Sequence, residues 1–240
     1  MVSGVGQAIE AFSNGKPVLV FDSAFREQET DLLFPATVAH PAAIRQLRKD
    51  CGGLLFLAIG DEVGSGFGLP WLQDLHTDSD LVAKNPVLNH LITNDLQYDA
   101  RSAFTLSLNH RETFTGITDR DRSLTTRRFA ELWVETEKQG LANEERMNAL
   151  GNEFRTPGHI PVCREAPGGL TNRQGHTELA VAVARMAGLP PIVIGAEMLE
   201  ENGDSALSVE DARAYGEKYG IPFLNGREIM EAAGFSEGDE

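Results

Sequence analysis

Short apolar runs alternate with stretches of helical periodicity along the whole chain. Continuous or alternating apolar runs predict strands, and apolar residues three or four positions apart predict helices. The predicted strands are Pro17–Phe21, Leu32–Phe34, Leu54–Ile59, Ala103–Leu108, Pro190–Ile194 and Ile221–Leu224. The predicted helices are Ala8–Phe12, Pro41–Lys49, Ser123 through Trp133, Leu179–Met186, Val209–Tyr219 and Arg227–Ala233. Interleaving of the two kinds predicts an α/β fold with a mixed sheet.

Local details refine this prediction. Pro35 follows Leu32–Phe34 and indicates that this strand is short or lies at an edge of the sheet, because proline cannot donate to the ladder. Leu69–Tyr98 shows no single period and is expected to be a long irregular excursion, with a helix near Val87–Ile92. The stretch Lys138–Asn152 is polar and leads to a rigid turn at Arg155–His159.

Composition favours a soluble, cytoplasmic, single-domain protein over residues 1–240. The chain is 41% hydrophobic, and we find no Pro/Ser-rich linker, low-complexity tract or internal repeat. Its net charge of −15 argues against nucleic acid or an anionic membrane as a partner. The two cysteines, Cys51 and Cys163, are expected to be free thiols in a reducing compartment. Neither a signal peptide nor an apolar run of membrane-spanning length is evident.

The segment Arg26–Asp31 carries three carboxylates and one guanidinium in six residues, directly after the first predicted strand. Loops at strand ends are where α/β proteins commonly place their chemistry. Carboxylates at this density favour a nearby cation, which can be an arginine or a divalent metal. By itself the segment fits a solvated acidic loop and a cation site equally well.

Other candidate residues lie downstream. Arg173–Glu178 opens a predicted helix, whose free N–H groups favour an anion, although a plain capped helix with a solvated His176 explains the same pattern. Glu197 ends an apolar strand, as either a surface residue or an acid/base group. His159 follows a rigid Pro-Gly turn, and Thr115 lies in a hydroxyl-rich turn, Thr113–Asp119. Each signal is weak alone.

The order of these motifs is far more specific than any one of them. RE-x-ETD, NHR-x-TFTGITD-x-DR, FR-x-PGH, NRQGHTE and a strand ending in glutamate follow one another along nearly the whole chain. This order resembles 3,4-dihydroxy-2-butanone-4-phosphate synthase in its archaeal, single-domain form. The resemblance implies an α/β sandwich that converts D-ribulose 5-phosphate into L-3,4-dihydroxy-2-butanone 4-phosphate and formate in riboflavin biosynthesis. It also implies Mg²⁺ (or Mn²⁺) as cofactor and a homodimer.

The resemblance further implies roles for individual residues. Glu27 and His176 match the metal ligands, and His159, Glu197 and Asp31 match catalytic positions. Positions that match contacts with the sugar phosphate are Arg26, Glu27, Asp31, Thr115, Arg173, Gln174, Gly175, His176, Thr177 and Glu197. Proton transfer falls to Glu197 or Asp31, with His159 assisting, and the sequence does not separate these roles.

Three departures and two rival functions accompany the resemblance. Gln28 stands where Gly or Asn is expected, Ala24 and Phe25 replace acidic residues, and Ala196 replaces a frequent cysteine. No cyclohydrolase sequence follows, so we expect the monofunctional form. A non-catalytic or nucleotide-binding domain on a related scaffold would favour a basic face for RNA, which the net charge of −15 opposes. A pentose-phosphate isomerase would share the enediol step but release no formate.

Overall fold

The computed structural model describes residues 4–92, 95–96, 99 and 101–235. A seven-stranded mixed sheet forms its centre, with the spatial order β4-β5-β3-β6-β2-β1-β7. The strands are β1 (Val18–Phe21), β2 (Thr30–Pro35), β3 (Phe56–Ile59), β4 (Phe104–His110), β5 (Phe154–Arg164), β6 (Ile192–Glu197) and β7 (Phe223–Asn225). The predicted α/β class with a mixed sheet is therefore confirmed.

Helices cover both faces of the sheet. They are α1 (Gly4–Ser13), α2 (Pro41–Gln46), α3 (Asp61–Gly66), α4 (Leu72–His76), α5 (Ser79–Lys84), α6 (Asp119–Lys138), α7 (Asn143–Glu153), α8 (His176–Met186), α9 (Val209–Tyr219) and α10 (Gly226–Ala232). One buried apolar cluster joins the sheet to α2 and α6, and a second joins the opposite face to α1, α8 and α10. Successive side chains of a strand point to opposite faces of the sheet, so the strands contribute to both clusters. The result is a sandwich of helix, sheet and helix.

Helix α8 is the helix most deeply enclosed by the second cluster. Nine consecutive residues from its start, 176–184, are buried. A helix that is apolar on all sides belongs in a protein interior rather than on a surface. The start of α8, and with it His176, is consequently held firmly against the sheet.

Strand directions bring many chain segments to one edge of the sheet. β3 pairs in parallel with β5 and antiparallel with β6, while β2 pairs antiparallel with both β6 and β1. β4 is antiparallel to β5. The ends of β1, β4 and β6 and the beginnings of β2, β3 and β5 therefore lie at the same edge, which we call the site end.

Several local predictions were wrong. β2 lies between β1 and β6 rather than at an edge, and Pro35 is tolerated because it occupies the last position of the strand. Asp31 belongs to β2 and is fully buried, whereas the sequence placed it in a loop. No helix was predicted in the polar stretch Lys138–Asn152, which contains most of α7; Leu150 is the one buried residue of this helix among those described. Helix α6 begins at Asp119, four residues before Ser123, because Thr118 caps it.

The excursion after β3 is more ordered than predicted. Residues 72–76 and 79–84 form the short helices α4 and α5, and a 3₁₀ turn at Pro86–His90 replaces the helix expected near Val87–Ile92. None of these three elements has a buried residue. Tyr98, at the end of the predicted excursion, lies outside the described residues.

Both cysteines are free, as predicted, and both are buried. Burial raises the pKa of the Cys51 and Cys163 thiols well above the ordinary range, so neither is a reactive thiolate. Among the described residues, no helix combines the length and apolar composition that crossing a bilayer requires.

Candidate active site

Asp31 and Glu197 form a pair of carboxyl groups at the site end. Asp31 of β2 lies directly opposite Glu197, the last residue of β6. Leu33 and Val193 belong to the cluster packed on α8, and two-residue periodicity puts Asp31 and Glu197 on that same face. Two like charges facing each other across a ladder destabilise it unless a proton or a cation intervenes.

Both carboxyls are held in unusual surroundings. Asp31 has no exposed surface, and within the described structure its two carboxyl oxygens and Oε2 of Glu197 accept no hydrogen bond. Burial raises the pKa of Asp31 well above its ordinary value, and it also raises that of Glu197. The N–H of Leu54 partly offsets the latter shift by donating to the Glu197 carboxylate. Such groups are suited to carrying a proton near neutral pH or to facing a cation.

His176 links this pair to the acidic segment Arg26–Asp31. Its Nδ1 lies 3.5 Å from Oε2 of Glu27, and its Nε2 lies 3.7 Å from Oδ1 of Asp31 and 3.2 Å from the carbonyl oxygen of Glu29. Burial opposes the charged imidazole, but the carboxylates of Asp31 and Glu27 outweigh it and raise the pKa of His176 to about 10. The hydrogen bond from His176 lowers the pKa of Glu27 in turn. The structure thus brings together Glu27, Asp31, His176 and Glu197.

Asp22 shapes the acidic segment, a function that the sequence did not reveal. This buried carboxylate accepts the N–H of Glu27 at 2.8 Å and the N–H of Glu29 at 3.2 Å. Gln28, between them, has φ of +59°, a left-handed conformation that Gly and Asn adopt more readily. This conformation gives a physical reason for the Gly or Asn expected at position 28. Glu29, which the sequence left without a role, contributes its carbonyl to His176.

Arg26 and Arg173 converge on Asp99, another residue that the sequence did not single out. Asp99 Oδ2 accepts from Nη2 of Arg26 at 2.8 Å and from Nε and Nη2 of Arg173 at 3.0 and 2.7 Å. Nη1 of Arg173 donates to the fully buried Glu178. The two guanidiniums predicted to bind substrate are therefore positioned as a pair by carboxylates from distant parts of the chain.

The start of α8 has the features of an anion-binding helix terminus. Gly175 is its N-cap and supplies no side-chain cap to the first N–H groups. A Cβ at position 175 would collide with the guanidinium of Arg173, so glycine lets this side chain lie against the helix start. Thr177 is buried in the first turn, and Gln174 immediately precedes the cap.

His159 lies on β5, two strands away from β6 and about 10 Å from it at the usual strand spacing. Its side chain is exposed, and its hydrogen bonds go to Asn109 of β4. The β4–β5 register shifts here, because Asn109 pairs with Arg155 although its neighbour Leu108 pairs with Ile160. The intervening residues of β5 therefore bulge out at the site end.

Thr115 lies in the loop between β4 and α6 and is exposed. The N–H groups of Thr115 and Gly116 donate to Oδ2 of Asp121 at 3.2 and 2.8 Å. These hydrogen bonds hold the pKa of Asp121 below its usual value, and the bond from Gly116 has the largest effect. Arg155 fixes the beginning of the loop by donating to the carbonyls of His110, Arg111 and Thr113.

The sites of His159 and Thr115 are thus separate from the Glu27–His176 group in this chain, although all lie at the site end. In the part of the chain described, no group of three or more His, Cys, Asp or Glu side chains is arranged to hold a metal ion. Glu27 and His176 lie side by side as a set of two groups of the kinds that can bind a metal. Such a set suits a cation that keeps water or substrate oxygens as its remaining ligands.

Comparisons with known proteins agree with the order of motifs. A sequence profile of the 3,4-dihydroxy-2-butanone 4-phosphate synthase family matches residues 6–232. The chain is 42% identical over 230 residues to the 3,4-dihydroxy-2-butanone 4-phosphate synthase of Methanosarcina mazei, covering 95% of this chain and 90% of the relative.

Solved structures share the fold. The synthase of Candida albicans superposes with a TM-score of 0.69 at 27% identity, covering 95% of each chain. A synthase in complex with two magnesium ions superposes with a TM-score of 0.71 at 24% identity, covering 98% of each chain. The predicted sandwich of helices around a mixed sheet is the fold of these enzymes.

Proposed function

Because the chain belongs to the 3,4-dihydroxy-2-butanone 4-phosphate synthase family, we propose that it converts D-ribulose 5-phosphate into L-3,4-dihydroxy-2-butanone 4-phosphate and formate. The reaction is a carbon–carbon lyase step of riboflavin biosynthesis. The observation that carries this proposal is the convergence of Glu27, Asp31, His176 and Glu197 at one end of the sheet. A cytoplasmic location follows from the sugar-phosphate substrate.

Mg²⁺, or Mn²⁺ in its place, is the proposed cofactor, held by Glu27 and His176. The donor set fits this cation, since Glu27 faces His176, and both oxygens of Asp31 and Oε2 of Glu197 accept no hydrogen bond within the described structure. Hard cations favour such carboxylate oxygens and retain several waters. When bound, the cation polarises a substrate carbonyl and acidifies the adjacent C–H. One structure with the same fold contains two magnesium ions.

The substrate phosphate is proposed to bind at the start of α8. Arg173 supplies N–H donors suited to phosphate, and Gln174, Gly175 and Thr177 belong to the helix terminus. Arg26 shares Asp99 with Arg173 and so faces the same region. Thr115 is the further phosphate contact proposed from the loop after β4.

Asp31 and Glu197 are the proposed proton carriers, with His159 assisting. The reaction includes enolisation, loss of the C1 hydroxyl, a skeletal shift and release of C4 as formate, and it therefore needs several proton transfers. Burial favours the protonated form of Asp31 and Glu197, so either can donate as well as accept a proton. Each positioned acid/base group is typically worth ~10²–10⁴-fold in rate.

A formate assay separates this proposal from its rivals. We expect the protein to release formate from D-ribulose 5-phosphate when Mg²⁺ is present. Addition of EDTA should stop this release. Conversion to another pentose phosphate without formate would indicate an isomerase. Absence of any conversion, with and without EDTA, would refute an enzymatic role.

A homodimer is the proposed assembly. Phe25 and Phe114, on loops at the site end, are 91% and 95% exposed, and Ile117, in the same loop as Phe114, is 51% exposed. Exposed apolar side chains that lie together on one surface commonly mark an interaction site. A second copy of the chain that covers this end would also enclose the substrate.

A further inference from the structure

The side chain of Asn109 has an orientation that its backbone contact determines. Asn109 lies in β4, is 4% exposed, and has one amide atom 2.8 Å from the backbone nitrogen of His159. A backbone N–H can only donate, so the amide atom facing it is the oxygen Oδ1. The amide nitrogen Nδ2 must then be the atom that faces the imidazole.

This orientation determines which nitrogen of His159 carries a proton. Nδ2 of Asn109 lies 3.0 Å from Nδ1 of His159. An amide NH₂ group is a donor only, so Nδ1 must accept and carry no proton. Nδ1 also lies 3.4 Å from Oδ1, but this contact is longer and Oδ1 already accepts the backbone N–H.

The surrounding backbone leaves the amide of Asn109 little freedom to turn. A Cβ at Gly116 would overlap the Asn109 amide, and Gly116 has φ of +97°. A Cβ at Gly158 would overlap the backbone of Leu108, and the N–H of Gly158 donates to Oγ of Ser107 at 3.1 Å. The amide is thus enclosed between the loop after β4 and the bulge of β5.

We propose that Asn109 is a positioning residue that fixes His159 as a neutral imidazole with its proton on Nε2. His159 then presents an N–H to the substrate and acts as a hydrogen-bond donor to a substrate oxygen, not as a base. Proton transfer is left to Asp31 and Glu197. The donor role rests on the proposed function, whereas the protonation of the resting imidazole does not.

Nitrogen-15 NMR of the whole protein tests the imidazole state directly. The chain has six histidines, and the resonance of His159 is identified by its loss in His159→Gln. We expect Nε2 to be protonated and Nδ1 to be unprotonated at neutral pH. A protonated Nδ1 in the wild-type protein would overturn the proposal.

The variant Asn109→Asp tests whether Asn109 is the cause. A carboxylate oxygen in place of Nδ2 accepts instead of donating, so we expect Nδ1 of His159 to become protonated. Asn148→Asp is the matched control, since Asn148 is exposed on α7 and the change adds the same charge. An unprotonated Nδ1 in Asn109→Asp, in a folded protein, would show that Asn109 does not control the imidazole.

Kinetics test the donor role. Glutamine keeps an N–H donor near the position of Nε2 but cannot act as a base, so we expect His159→Gln to release formate at least tenfold faster than His159→Ala. Equal rates in the two variants would contradict the donor role. If the wild-type protein itself released no formate, the proposed function would fail, while the NMR result would still decide the state of His159.

Discussion

The facing carboxyls of Asp31 and Glu197 illustrate how residues proposed to be catalytic can oppose stability. Burial removes water fully from Asp31 and partly from Glu197, and within the described structure both Asp31 oxygens and Oε2 of Glu197 accept no hydrogen bond. An arrangement of this kind is destabilising in the protein alone. It becomes useful when a proton moves or a cation binds.

Glu197→Gln is therefore expected to lower activity and raise stability together. Removing one carboxyl should reduce formate release by ~10²–10⁴-fold and increase the free energy of unfolding by about 1 kcal/mol. Steady-state kinetics and thermal unfolding check the two effects, with exposed Glu200→Gln as the control. A variant of normal activity would refute the assignment of Glu197.

Asp99 is predicted to prepare Arg26 and Arg173 for the phosphate. In Asp99→Asn the charge that holds both guanidiniums is lost, and a hydrogen bond between charged groups is typically worth ~1.5–3 kcal/mol. We expect KM for D-ribulose 5-phosphate to rise about tenfold, with a smaller change in kcat. Asp74→Asn is the control, because Asp74 pairs with Arg101 at an exposed position. A lower KM would show that Asp99 competes with the phosphate instead.

Only those site residues that belong to a recognisable motif could be predicted from the sequence. Glu27, His176 and Glu197 came from the order of motifs, and the left-handed backbone of Gln28 accounts for the Gly or Asn expected there. Asp99 gave no signal, because its partners Arg26 and Arg173 are distant in sequence and only the folded chain brings them together.

Among the structural elements, the loop between β4 and α6 depends on two charged side chains. Arg155 donates to carbonyls at its beginning, and Asp121, in the first turn of α6, accepts the N–H groups of Thr115 and Gly116. The carboxylate of Asp121 thus replaces water as the partner of the loop backbone. It keeps Thr115 at a defined place beside the bulge that carries His159.

The lowered pKa of Asp121 gives a pH dependence with a definite sign. A folded-state pKa below the unfolded value of about 3.9 means that the stabilisation is complete above that pH and is lost as pH falls through the folded pKa. Asp121→Asn should therefore be less stable than the wild type at neutral pH, and the difference should shrink below about pH 4. Urea unfolding of both proteins at several pH values measures this. A difference independent of pH would contradict the role of Asp121.

Elements with a marked apolar pattern were predictable, and those without one were not. The bounds of α9 were predicted as Val209–Tyr219 and are the same in the structure. Helix α7 was missed because its one buried residue among those described, Leu150, gives no periodic pattern. The position of β2 inside the sheet was missed because a proline at the last position of a strand is compatible with neighbours on both sides.

For the whole molecule, the site end combines most of the side chains that the motifs single out with exposed apolar side chains. We expect a solution mass about twice the chain mass of 26.1 kDa, because a dimer of closed symmetry is the commonest way to cover such a surface. Light scattering after size exclusion measures it. Phe114→Asp should shift the protein toward monomer, and exposed Leu91→Asp is the control. A monomeric wild type would contradict the proposed assembly.

Above all, this site is proposed to cleave a carbon–carbon bond of a pentose phosphate. D-ribulose 5-phosphate labelled with carbon-13 at C4 tests it most directly, by carbon NMR of the products with Mg²⁺ present. We predict that the wild-type protein transfers the label to formate and that folded His176→Ala does not. Label that stays in a five-carbon sugar phosphate, or formate production by His176→Ala at the wild-type rate, would contradict the account.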